Sequence, residues 1–177
     1  LTTPVFLLRF PTRRARISRF RTAFLCRPFE ADGPVPPPDD ACNREPNIAR
    51  RCGCQRCHAA IEPLGAYWGR FLERSARYVG PEFPAYDPTC AVCVRGVNCP
   101  DRCTLYLTEP GDPSRGYLEP YRFRTPDELR VVEAGPSALV ASALATGALQ
   151  SCTAETLWRR LVGRPFSDEE RRRTLPA

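Results

Sequence analysis

A mainly α fold is what this sequence predicts, from three observations. Ile17, Phe20, Phe24 and Leu25 fall at near-helical spacing in the first third, and the last third regains that period with recognisable start and stop residues. Between them, from Tyr78 to Tyr121, the chain is rich in Pro, Gly, Asp and Cys and shows little periodicity. No internal repeat is present. The expected organisation is a small helical region over 1–78, a Cys-rich irregular insert over 79–121 and a C-terminal helical bundle over 122–177.

Residues 1–10 are apolar and read as a short strand or an extended lead-in. Arg13 to Leu25 forms an amphipathic helix ending at Cys26, with its arginines on a solvated face. A loop from Arg27 to Pro46 contains Pro34-Val35-Pro36-Pro37-Pro38, which favours polyproline II and acts as a spacer or surface strap. Asn47 is the expected cap of a helix that carries Cys54-Gln55-Arg56-Cys57-His58 and stops near Glu62-Pro63. Ala66 to Leu72 is aromatic at helical spacing, suited to core packing and, directly after that motif, to walling an apolar cofactor. In the insert, Cys90, Cys93, Cys99 and Cys103 are spaced for two local disulfides, with a four-thiolate zinc knuckle as the alternative. Thr125-Pro126-Asp127-Glu128 starts a helix with an N-cap threonine, a first-turn proline and acids at the positive end of the dipole. Helices over Pro136 to Leu149 and Thr153 to Val162 follow, broken around Gln150-Ser151-Cys152. Gly163-Arg164-Pro165 ends the second, and Ser167-Asp168-Glu169-Glu170 caps a last short helix.

Cys54-Gln55-Arg56-Cys57-His58 is a C-x-x-C-H, the attachment signature of a c-type haem. Two thiols about one helical turn apart suit the two haem vinyl groups, and the adjacent histidine turns its imidazole onto the iron. With ten cysteines in 177 positions, chance fills both cysteine places with a probability of roughly 0.003, which argues against accident. Cys54 and Cys57 are thus the expected anchors of one covalent haem c. His58, the only histidine, is the expected proximal iron ligand. Two other uses stay open on the residues alone: zinc held by Cys52, Cys54, Cys57 and His58, or disulfides.

The formal charge is +6, and every basic side chain is arginine, because the chain has no lysine. The arginines are dispersed among acids, without the long basic stripe that would indicate a nucleic-acid partner. Haem attachment leaves eight cysteines, namely Cys26, Cys42, Cys52, Cys90, Cys93, Cys99, Cys103 and Cys152, for a disulfide framework. Both chemistries belong outside the cytoplasm, so a periplasmic or extracellular location is expected. Val5-Phe6-Leu7-Leu8 is too short for a signal core, and Ala138 to Leu149 is too short to span a bilayer. The sequence reads as the C-terminal piece of a longer precursor, with no membrane span of its own.

Three stretches resemble one family, the planctomycete-type cytochrome c domain proteins, which are large exported proteins of planctomycetes and myxobacteria. One is the arginine-rich helix ending at Leu25-Cys26 with the proline loop behind it. The second is the C-x-x-C-H continuing into Ile61-Glu62-Pro63-Leu64-Gly65, similar to the family's Asp-Pro-Leu-Gly-type turn. The third is Cys152 with Leu161-Val162-Gly163-Arg164-Pro165-Phe166-Ser167-Asp168, like the family's closing helices. Together they cover most of 12–75 and 123–174, and nothing carries over to 79–121. The resemblance implies a small cytochrome c-like helical domain, haem and export. It also suggests a bridge between Cys26 and Cys152, although Cys42 or Cys52 could take either partner.

Met, Lys and a second His are all missing, so the usual strong distal ligands are unavailable. The iron would be five-coordinate, weakly ligated by water, Tyr67 or Tyr78, or ligated from outside the chain, at a lower potential than a His/Met pair gives. Electron transfer follows as the expected role, with a redox partner protein or upstream domains of the same precursor as the other party. A peroxidase- or oxygenase-like open site is a second class, for which only an arginine or Glu62 is left as distal acid. A disulfide- or zinc-stapled interaction module without haem is the third.

Overall fold

The structure, a computed structural model, describes residues 1–29, 37, 39–45, 47–80, 100 and 126–175. The described part is mainly helical, and it contains no strand beyond one isolated bridge between Phe71 and Tyr78. The proline run, the insert cysteines Cys90, Cys93, Cys99 and Cys103, and the Thr125 cap lie outside the described residues.

Helix α1 spans Pro4–Arg9, correcting the expected strand or extended lead-in. The reason is local: Thr3 caps it by accepting from the Phe6 N–H, and Pro4 takes the first helical position, where it lacks nothing the helix needs. Helix α2 spans Arg13–Phe24, capped by Thr12 accepting from the Ala15 N–H. Its arginines do not all face solvent as expected, since Arg13 and Arg16 are buried together with Ile17 and Phe20. Positions 13, 16, 17 and 20 share one helical face, so the apolar stripe carries two guanidiniums inward with it.

A short 3-10 turn at Ala41–Arg44 precedes helix α3, Gln55–Gly65. Asn47 does not cap α3. Its side chain closes a turn onto the Ala49 N–H, and the helix begins eight residues later with Cys54 as its N-cap. Between the two points Cys52 is tied to Cys42, and Gly53 follows it, which interrupts any earlier start. The helix also runs past Pro63 to Gly65 and continues as a 3-10 turn, Ala66–Trp68.

Helix α4, Pro126–Ala145, is kinked at Gly135, whose φ of 66° and ψ of −179° only glycine adopts readily. Pro136 then begins the second half, at the place where the sequence signals a new start. Helix α5 is Ala148–Val162. The α4–α5 break falls at Gly147, with φ 67°, rather than at Gln150-Ser151-Cys152. Thr153 sits inside α5, its hydroxyl bonded back to the Leu149 carbonyl at 2.8 Å. Gly163 ends α5 in the left-handed region. Ser167 and Glu170 form a reciprocal capping box for helix α6, Asp168–Thr174.

The N-terminal and C-terminal regions share one core. Leu7, Ile17, Phe20 and Trp68 meet Leu139 and Ala143 of α4. Gly69 is required where the Ala66–Trp68 turn crosses α4, because a Cβ there would lie 2.7 Å from Val132 Cγ2. Trp68 is fully buried between Phe6 and Phe20, with its indole N–H donating to the Leu1 carbonyl. It therefore takes the core role of the aromatic segment and is sealed from the wall role. A disulfide joins Cys26, just past α2, to Cys152 in α5, and a second joins Cys42 to Cys52.

Arginine also holds the irregular backbone together. Arg16, with no exposed surface, donates to the carbonyls of Leu7, Phe10, Pro11, Phe71, Leu72 and Ser75 at 3.0–3.4 Å. Those carbonyls belong to the α1–α2 junction and to the loop after Trp68, neither of which has a ladder of its own to satisfy them. Burial lowers the Arg16 pKa from 12.5 to about 10, with Glu73 acting in the opposite direction, so the side chain stays charged at neutral pH.

Candidate functional site

The C-x-x-C-H lies on the first turn of α3. Cys54 is the N-cap, Cys57 and His58 follow within the first turn, and all three are part-buried. The helix thus brings together the three predicted residues, and the disulfides set them apart from the other described cysteines. Cys26, Cys152, Cys42 and Cys52 are oxidised in pairs, while Cys54 and Cys57 take part in no disulfide. The Cys42–Cys52 bond also removes Cys52 from any metal-binding set, leaving Cys54, Cys57 and His58 as the local donors among the described residues. Asp40 lies beside Cys42 and Cys52, but that pair has no thiolate to offer a metal.

One helical turn beyond His58, Glu62 places Oε1 at 2.7 Å from His58 Nδ1. Arg14 Nε donates to the same oxygen at 2.6 Å, and Arg13 donates to Oε2 at 3.2 Å. Burial by itself would raise the Glu62 pKa. The charge of Arg13, the hydrogen bond and charge of Arg14 and the bond to His58 outweigh it and hold the pKa at about 2. Glu62 is therefore a carboxylate and only accepts, which requires the N–H of a neutral His58 to be on Nδ1. The lone pair is then on Nε2, the nitrogen left for a metal.

Arg13 is gripped from two sides, by Glu62 and by Glu73, which lies 3.6 Å from it and also accepts the Arg13 backbone N–H at 3.1 Å. The cluster thereby ties α2 to α3 across the start of the chain. Sequence reasoning missed Arg13 and Arg14 as members of this site. The available signal was the helical period, which puts position 13 on the same face as Ile17 and Phe20.

Glu62, named with arginine as the remaining acid for a distal role, is bonded to the His58 ring. Its place at i+4 from His58 puts it on the same helix face, bonded to the ring itself. Tyr67 packs against the core, and Tyr78 is 52% exposed with its ring edge on Phe71, 5.3 Å between centroids.

The donor set fits covalent haem attachment on three counts observed in this structure: two thiols kept out of the disulfide framework, the spacing set by one helical turn, and an imidazole oriented through Nδ1 with Nε2 available. Among the described residues no single helix is long and apolar enough to cross a membrane. No family model, no curated protein and no solved structure matches the chain.

Proposed function

We propose that this chain is an exported c-type haem-binding domain that transfers electrons, as a redox accessory of a larger protein or to a separate partner protein. The observation that carries the reading is the combination at α3. Cys54 and Cys57 retain their thiols beside a histidine that Glu62 holds in the Nδ1–H form. Cys54 and Cys57 are the thioether anchors, and His58 Nε2 is the proximal iron ligand. Bound there, the haem would supply a one-electron couple. The two disulfides support an oxidising compartment, the periplasm or the exterior. Electron transfer is favoured over peroxidase-like chemistry because Glu62, the carboxylate nearest the motif, is committed to His58, Arg13 and Arg14.

The test is an absorption spectrum of the protein produced in a periplasm with c-type maturation machinery, followed by the alkaline pyridine assay for covalent haem. A Soret band that survives denaturation and disappears in Cys57→Ala is the expected result. A folded, disulfide-bonded protein without covalent haem would refute the reading. Metal analysis finding zinc on Cys54, Cys57 and His58 would then indicate a stapled interaction module.

A further inference from the structure

We infer that Glu62 is the positioning residue of His58 and that its charge, shared with Arg13 and Arg14, lowers the reduction potential of iron held on Nε2. The inference rests on the haem reading above and concerns this chain's own second layer of contacts. The helix fixes the pair, since His58 and Glu62 are four residues apart on α3 and meet at 2.7 Å without help from any loop. Rotating the ring by half a turn would put the Cδ2–H in place of Nδ1 against the carboxylate and lose the hydrogen bond, so the contact selects one ring orientation as well as one tautomer. A charged acceptor draws the Nδ1 proton further from the ring than a neutral carbonyl does. The imidazole becomes a stronger donor at Nε2, which favours ferric over ferrous iron.

Arg13 and Arg14 set how far this goes. They occupy the other lone pairs of the same carboxylate, at 3.2 and 2.6 Å, so Glu62 divides its basicity among three donors. The two guanidiniums differ in accessibility: the Arg13 side chain is 6% exposed and that of Arg14 41%. Arg14 can therefore be replaced without opening a cavity, and its loss leaves more of the carboxylate to His58. Glu62→Gln does the reverse, keeping the shape and an acceptor oxygen while removing the charge.

The experiment has two arms. In the haem-free chain, long-range proton–nitrogen NMR reads the tautomer of the single histidine without ambiguity. Nδ1–H is expected in the wild type, and an Nε2–H tautomer overturns the inference. In the haem-loaded chain, redox titration compares the wild type with E62Q and R14Q. Second-layer substitutions on metal-bound histidines commonly act about tenfold on binding, so E62Q should favour the ferrous state about tenfold, a rise of about 59 mV, and R14Q should lower the potential. An unchanged potential in E62Q that carries full covalent haem overturns the inference, because an isosteric glutamine preserves any purely structural contribution. If E62Q does not fold, R14Q carries the same decision: a lowered potential supports the inference and an unchanged one overturns it. Absence of covalent haem in the wild type refutes the haem reading instead, and the tautomer still decides whether Glu62 positions the ring.

Discussion

Methionine approximates the stem of Arg16 but offers no N–H, so Arg16→Met isolates what the buried guanidinium does. Two opposing effects decide the outcome. Removing the charge recovers the cost of burying it, which the drop in pKa from 12.5 to about 10 puts at about 3 kcal/mol. Against this, six main-chain carbonyls lose a donor, and only that of Pro11 keeps another, the Arg74 N–H at 2.7 Å. At about 1 kcal/mol or more for each of the other five left unpaired, that loss is at least about 5 kcal/mol. The net expectation is destabilisation by about 2–4 kcal/mol, a large share of the 5–15 kcal/mol typical of a domain. Arg16→Lys keeps the charge but has fewer donors and a different fork, so it should fall between the two. Urea denaturation followed by helical circular dichroism, with disulfides intact, measures all three proteins. An Arg16→Met variant within 1 kcal/mol of the wild type would refute the reasoning, showing that water satisfies those carbonyls as well as the guanidinium does.

Three further outcomes are expected. The folded Glu62 pKa of about 2 lies below the ordinary 4.5, so its contribution is complete above pH 4.5 and is lost as pH falls towards 2. It amounts to about 3 kcal/mol at neutral pH, and urea midpoints of the wild type and E62Q should converge in acid; parallel curves would contradict this. The Cys26–Cys152 bond closes a loop with a sequence separation of 126, so Cys152→Ser should cost about 4–5 kcal/mol by loop-closure entropy, read as a fall in denaturant midpoint. Gly69→Ala places a methyl 2.7 Å from Val132 Cγ2 and 2.9 Å from the Ala66 carbonyl oxygen, and a melting-temperature shift corresponding to about 1–3 kcal/mol is expected.

Much of the helical layout was legible because period and caps agree. Ser167 with Glu170 and the Gly135-Pro136 step mark structure where sequence rules place it. What was not legible came from tertiary contacts. Asn47 has the chemistry of a cap, but the Cys42–Cys52 link claims the chain between it and the helix. Thr153 resembles a start yet bonds backwards into a helix that Gly147 had already opened. For the site, Cys54, Cys57 and His58 were readable because their spacing is itself the chemistry. The pairing of Glu62 with the ring, and of Arg13 and Arg14 with Glu62, is not written in that spacing. The helical period puts Arg13 on the buried face, but which partner it meets there depends on α2 crossing α3.

Arg70 fixes two distant stretches of the chain to each other. Its guanidinium donates to the carbonyls of Val79 and Gly80, the last described residues before position 100, and grips Glu133 of α4 through both oxygens. The backbone at Val79 and Gly80 and helix α4 are thus clasped by one side chain. Two stretches more than fifty positions apart in sequence share a rivet rather than a seam: a single planar cation sets their spacing where no ladder of paired strands does.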